Sequence, residues 1–151
     1  KTEYQKCMDE EPFDGSSPEI TEMTVRNKRL LHQLRETDYA DNEAKQRIYR
    51  QMFGSIGKDV YIDIDFRCEY GKNIYFGNKV IVNMNCTFLD NNNIIIGNNV
   101  MIAPDVKIYT ATHSVHLAER MPERHIPERP SATQLPDLSL YCLLYTSDAA
   151  D

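Results

Sequence analysis

Histidine is the side chain best suited to proton transfer at neutral pH, because its ordinary pKa of about 6.5 lets it take up and release a proton there. The chain has four, His32, His113, His116 and His125. His113, standing alone at the end of a regular apolar pattern, is a candidate general base. His113, His116 and His125 together would be a candidate zinc set, since zinc needs three protein ligands and an open position. The spacing disfavours that set: the His113-x-x-His116 pair straddles a loop, and His125 lies where the pattern has stopped. The cysteines Cys7, Cys68, Cys86 and Cys142 show no Cys-x-x-Cys spacing. Two of them fall on positions expected to face inward, so buried free thiols are expected, with no metal.

The element that must position His113 is written in sixes. Blocks of six open on Ile56, Ile62 and Cys68, then after two extra residues on Phe76, Val82 and Phe88, then after two more on Ile96, Ile102 and Ile108. All nine openers are apolar. Four positions on stand Val60, Phe66, Lys72, Val80, Cys86, Asn92, Val100, Val106 and Thr112, mostly small or apolar. Gly57, Gly77 and Gly97 follow the first opener of each triplet, so the larger period is twenty residues. Six-residue sides with Gly, Asn and Asp at the corners describe a mostly β protein, a three-sided parallel β-helix. The run Asn91–Asn93 and the pair Asn98–Asn99 suit corners that need left-handed backbone angles. One coil buries about six side chains at roughly 1.5–3 kcal/mol each. Ordering the backbone costs roughly 1–2 kcal/mol per residue. A single coil therefore cannot stand alone, and coils must stack. Three coils at the strand spacing of about 4.8 Å make a stub only about 15 Å tall, which calls for caps and for neighbouring subunits.

The segment before the repeats supplies a cap. Ser17 reads as an N-cap with Pro18 at the first helical position, and Ile20, Met23, Leu30, Leu31 and Leu34 keep one face apolar. A second helix through Ala44, Ile48 and Met52 stops at Gly54. The organisation expected is a helical cap over 1–55, coils over 56–113, a loop over 114–120 and a separate tail over 121–151.

At this point the sequence resembles a known family. The stretches Lys6-Cys-Met-Asp-Glu-Glu-Pro-Phe-Asp-Gly-Ser-Ser-Pro-Glu-Ile20, Phe66-Arg-Cys-Glu-Tyr-Gly-Lys-Asn-Ile74 and Ala103-Pro-Asp-Val-Lys-Ile-Tyr-Thr-Ala-Thr-His113 are similar to the hexapeptide-repeat acetyltransferases, within them the maltose and galactoside O-acetyltransferases. They span about three quarters of the chain. The resemblance implies a left-handed coil, a handedness that chain physics alone would not suggest. It also implies acetyl transfer from acetyl-CoA to a hydroxyl of a sugar such as maltose, glucose or a galactoside, in a homotrimer. The histidine of the Thr-Ala-Thr-His context, His113, would be the catalytic base. Asp14 and Asn83 would contact the acceptor, and both residue types can make the paired hydrogen bonds a sugar requires. Asn91 stands where the galactoside enzymes carry an acceptor-binding aspartate, which suggests a changed sugar preference. Glu69 replaces a serine and receives no role. The family's acetyl-CoA contacts come mainly from later coils, so no cofactor-binding residue is assigned. The rival readings are a non-catalytic trimeric β-helix module and, less favoured, a carbonic-anhydrase-like zinc protein on the same repeat.

Composition narrows the partners. A net charge of −6 argues against a phosphate-backbone binder, so no nucleic acid is expected. No run approaches the roughly 20 apolar residues of a membrane span, and the polar start Lys1-Thr-Glu-Tyr is unlike a signal peptide; the expected setting is the cytoplasm. The first residue is not Met, so residues upstream are expected. After Lys107 there is no lysine, and after Asn99 no glycine or asparagine, while Pro122, Pro127, Pro130 and Pro136 crowd the end. His113-Ser-Val-His-Leu-Ala-Glu-Arg120 still resembles the family's loop, with Ser114 replacing its usual proline. From Met121 the match ends, and Tyr141–Asp151 resembles translated adapter sequence. The expectation is a genuine N-terminal part joined to an unrelated, disordered or artefactual tail.

Overall fold

A computed structural model describes residues 1–113, 128–135 and 140–141. Three helices come first: α1 (Glu3–Met8), α2 (Pro18–Glu36) and α3 (Asn42–Met52). Ser17 caps α2 through its side chain, with Pro18 in the first turn, as its position predicts. Helix α1 was missed by the sequence reading, although Thr2 and Gln5 form a complete capping box.

The coils follow as short strands on three faces. The first face holds β1 (Ser55–Ile56), β4 (Ile74–Phe76), β7 (Ile94–Ile96) and β12 (Thr133–Leu135). The second holds β2 (Tyr61–Ile62), β5 (Ile81–Val82), β8 (Met101–Ile102) and β13 (Leu140–Tyr141). The third holds β3 (Arg67–Cys68), β6 (Thr87–Leu89) and β9 (Lys107–Tyr109). All pairs on these faces are parallel, and the register advances by 20 residues through the first three rungs: Ile56 against Phe76, Phe76 against Ile96. The result is a left-handed parallel β-helix with an N-terminal helical cap.

Two of the three corners repeat without change. Asp59, Lys79 and Asn99 hold φ of 57°, 54° and 57°, and Asp65, Asn85 and Asp105 hold 60°, 60° and 63°. Five of these six are Asp or Asn, the non-glycine residues that tolerate the left-handed region best. Asn99 meets the expectation for a corner asparagine; Asn91, Asn92, Asn93 and Asn98 do not take a positive φ. At the turns after β1 and β4 the backbone leaves no room for a side chain: a Cβ on Gly57 would run into the Gly77 carbonyl oxygen, and one on Gly77 would lie 2.6 Å from that of Gly97. Beside it, Asn98 Oδ1 accepts from the Asn78 amide, as Asn78 Oδ1 does from Lys58, at 2.8 Å each.

The interior is a single column. Ile62, Val82 and Ile102 stack on one face, Phe76 and Ile96 on another, and Val60, Val80 and Val100 fill the space between, all buried. Phe53, just past α3, closes the open base of the first coil edge-on against Phe66 and Phe76, with centroids 5.8 and 4.9 Å apart. Such pairs add roughly 0.5–1.5 kcal/mol beyond area burial. Two inward assignments need correction. Lys72 is half-buried and Thr112 exposed, because the third side is longer by two residues. Its inward positions are instead Asp90 and Thr110, both buried, while Tyr70 is buried against the cap with Cys7, Phe13 and Ile20.

Within the stretch expected to be a separate tail, the described residues 128–135 and 140–141 include strands. Strands β10 (Ala111–His113) and β11 (Glu128–Pro130) pair antiparallel, leaving the prism. β12 and β13 then return to it, with Leu135 opposite Ile96 and Tyr141 opposite Ile102. Leu135 and Tyr141 are six apart, so the hexad resumes after the excursion; a search at a fixed twenty-residue period passes over it. The loop 114–127 and the rest of the tail lie outside the described residues, and with them His116, His125 and Cys142. Cys7, Cys68 and Cys86 are buried free thiols.

Candidate active site

The third corner differs in every coil, and the differences gather polar groups. In the first coil the chain turns at Gly71 with φ 74°, where a Cβ would meet the Met52 carbonyl oxygen at 2.7 Å. In the second coil, Asp90 turns its carboxylate inward beneath that turn. Its Oδ1 accepts from the amides of Glu69 and Tyr70 at 3.0 and 2.9 Å, and its Oδ2 from Asn73 at 3.2 Å. Burial pushes the Asp90 carboxyl up to about 6, against the opposing pull of the Tyr70, Gly71 and Asn73 amides.

The asparagine run after Asp90 is used as hydrogen-bonding stock. Asn91 is buried, and its Nδ2 donates to the Tyr70 hydroxyl at 3.2 Å. Asn92 donates through its amide to Thr110 Oγ1 at 2.9 Å and through Nδ2 to the Cys7 carbonyl at 3.0 Å. Asn73 Nδ2 donates to the carbonyls of Asp90 and Asn91 at 2.9 and 3.3 Å. Helices α1 and α2 dock on the same corner. Tyr4 donates its hydroxyl to Asn73 Oδ1 at 2.7 Å, and Cys7 Sγ lies 2.7 Å from the Asn91 carbonyl. Asn27, fully buried, donates to the carbonyls of Cys68 and Glu69 at 2.9 and 3.0 Å.

In the third coil the corner opens outward. Thr110 keeps the buried place of Asp90, and β10 carries the chain away from the prism to His113. Between these walls lies a cleft of about 160 Å³ lined by Glu69, Leu89, Asn91, Ala111, Thr112 and His113. It has room for a hydroxyl and an acetyl group. Of the residues singled out from sequence, the cleft unites His113 and Asn91. Asp14 and Asn83 are not among its lining residues. Asp14 Oδ1 accepts from the amide and hydroxyl of Ser16 at 2.8 and 2.6 Å, shaping the turn into α2. Asn83 lies at the end of β5 on the second face, its Oδ1 accepting from the Met84 amide at 2.8 Å. Glu69, given no role from sequence, stands in the wall. Asp90 was missed altogether; an acidic residue two places past the apolar opener Phe88 was the available signal. A larger cavity of about 310 Å³ between α2, α3 and the first coil, lined by Leu34, Tyr39, Lys45 and Phe66 among others, contains none of these residues.

Residues 6–57 match the family model described as the maltose acetyltransferase hexapeptide capping motif. The fold matches the crystal structure of a maltose O-acetyltransferase from Clostridium difficile 630 with a TM-score of 0.82 and 34% identity, covering 87% of this chain and 69% of that one. The chain belongs to this family of hexapeptide-repeat acetyltransferases. A hexapeptide-repeat acetyltransferase of Vibrio cholerae, solved in complex with acetyl coenzyme A, matches with a TM-score of 0.76 and 27% identity, covering 93% of this chain and 77% of that one. The galactoside O-acetyltransferase of Lactococcus lactis is 31% identical over 113 residues, which is 74% of this chain. The chain spans only 55% of that enzyme's length, and 48% of the Escherichia coli galactoside O-acetyltransferase that it also matches.

Proposed function

We propose that the protein is an acetyl-CoA-dependent O-acetyltransferase acting on a sugar hydroxyl of the maltose, glucose or galactoside type. The observation that carries this reading is the placing of His113, exposed, in a polar cleft at the one corner of the prism that breaks the repeat. Acetyl-CoA supplies the activated acetyl group as a thioester. His113 takes the proton of the acceptor hydroxyl as its oxygen bonds to the acetyl carbon; the carbon–sulfur bond breaks, and the proton passes to the departing thiolate. Losing such a base costs roughly 10²–10⁴ in rate. Glu69 and Asn91 form the wall across which the acceptor would lie. The cleft fits the reacting end of the coenzyme by size, and no residue is assigned to its remaining parts.

Asn83 fits the reading through a second copy of the chain. On the second face Tyr61, Ile81 and Met101 stand one above another in parallel register, and remain 42%, 38% and 50% exposed. Ile64 and Met84 extend that apolar strip beside Asn83. A homotrimer that buries the strip would bring Asn83 toward a neighbour's cleft. The buried free thiols suit a reducing, cytoplasmic setting. The test is thiol release from acetyl-CoA with maltose, glucose and galactosides as acceptors, with mass spectrometry of the product. No acetylated sugar from any acceptor would overturn the reading.

A further inference from the structure

We infer that Asp90 is a positioning residue for this cleft: by gathering the amides of the Glu69–Asn73 turn, its carboxylate sets where Glu69 and Asn91 stand relative to His113. The inference rests on the reading of the cleft as the transfer site. Asp90 is not among the cleft's lining residues, so it acts through others.

The argument begins with the number of donors. At the regular corners one asparagine oxygen serves one amide from the rung below, as Asn78 does for Lys58 and Asn98 for Asn78. Under the third corner the amides of Glu69, Tyr70 and Asn73 converge on one buried place. A neutral amide side chain has a single acceptor oxygen, and its NH₂ would face an N–H. A carboxylate offers two oxygens, which is what the turn requires; bonds from amides to a carboxylate are also the stronger kind.

The turn held in this way controls both cleft walls. Glu69 leaves it directly into the cleft. Asn73, at its other end, clamps the carbonyls of Asp90 and Asn91, while the Tyr70 hydroxyl accepts from Asn91 Nδ2. A shift of the turn therefore reaches Asn91 by two routes. Among the described residues, the titratable and charged groups facing Asp90 are Tyr4 from α1, Cys68 from β3, and Glu69 and Lys72 from the turn itself. Lys72 in turn feels Glu19 and Arg26 of α2. Because burial raises Asp90 to about 6, the carboxylate is present at neutral pH and is replaced by a neutral acid as the pH falls through that value. The neutral acid has a hydroxyl that needs an acceptor, and the turn then loses one of its bonds.

The experiment compares wild type and Asp90→Asn in the full chain by two measurements. In amide NMR of the wild type, the signals of Glu69, Tyr70 and Asn73 should titrate with a midpoint near 6, and the side-chain amide of Asn91 should follow with the same midpoint. In Asp90→Asn the transition that these four signals share should be lost. In steady-state acetyl transfer the variant should raise the acceptor KM about tenfold with kcat changed less than about threefold. The acid limb of kcat/KM should lose the component that follows Asp90, near 6. An Asn91 signal that ignores the titration, or a variant with wild-type KM and acid limb, overturns the inference. If Asp90→Asn does not fold, the wild-type titration alone decides. If even the wild type transfers no acetyl group, the site reading fails, and the NMR result still shows whether Asp90 orders the wall.

Discussion

The two kinds of corner in this prism are built on opposite principles. At the first two, single residues in the left-handed region recur at twenty-residue spacing, exposed or half-exposed, and their amides donate to the rung before in a repeating way, Lys79 to the Lys58 carbonyl and Asn99 to Asn78, Asn85 to Ile64 and Asp105 to Met84. At the third, Gly71, Asn91 and Ala111 occupy equivalent places, and the residues beside them bond to α1, to α2 and to a buried carboxylate. Repetition makes a scaffold whose parts are interchangeable. Departure from it, concentrated at one edge, makes a cleft in which His113, Asn91 and Glu69 are not interchangeable with anything above or below them.

The scaffold half of the comparison is broken most severely from inside. Phe88 is fully buried and packs edge-on against Phe66 at 5.2 Å. Phe88→Ala should cost about 3–5 kcal/mol, read as a fall in the denaturation midpoint with the slope unchanged. Next in size is the link between cap and third corner. Asn27→Ala leaves the carbonyls of Cys68 and Glu69 without their buried donor, and should cost about 1–3 kcal/mol. Unlike Phe88→Ala at matched stability, it should also raise the acceptor KM, because Glu69 belongs to the cleft wall. An unchanged KM would mean that the cap stabilises the corner without shaping it.

A regular corner gives the contrast. Asn85→Val places a β-branched residue at φ 60° and removes the hydrogen bond to Asp105. It should cost about 1–2 kcal/mol and leave acceptor KM untouched. The smallest effect is the pH dependence of Asp90. Its folded pKa, about 6, lies above its ordinary value of 3.8. Its stabilising contribution is therefore fully present below about 3.8 and is lost as pH rises through about 6. Asparagine does not titrate. The stability of Asp90→Asn relative to wild type should therefore move against the variant by about 1 kcal/mol between pH 7 and pH 5, measured by urea denaturation at each pH.

The sequence made the scaffold legible because its rule is local and repeated. Ile56, Ile62 and Cys68 announce the same spacing as Phe76, Val82 and Phe88, and burial follows from a count of six. The Thr-Ala-Thr-His context singled out His113, and the fold places it in the cleft. The wall opposite it was not legible. Asp90 and Asn92 look like turn residues in a polar run, and nothing local says that their partners are Glu69, Tyr70 and Cys7, the last 85 positions away. Helix α1 is only six residues long, too short to show a period. The fourth rung at Thr133–Leu135 was hidden by the length of the excursion, although Leu135 and Tyr141 keep the spacing.

The central claim is that the third corner is a catalytic site with His113 as its base, and one paired measurement tests it most directly. Acetyl transfer to a sugar acceptor and thermal stability are measured together for wild type and His113→Ala. The side chain is exposed, so its Tm should stay within the range of a surface substitution, about 0.5 kcal/mol, while transfer falls by roughly 10²–10⁴. A stable His113→Ala that keeps more than about a tenth of wild-type turnover would contradict the account.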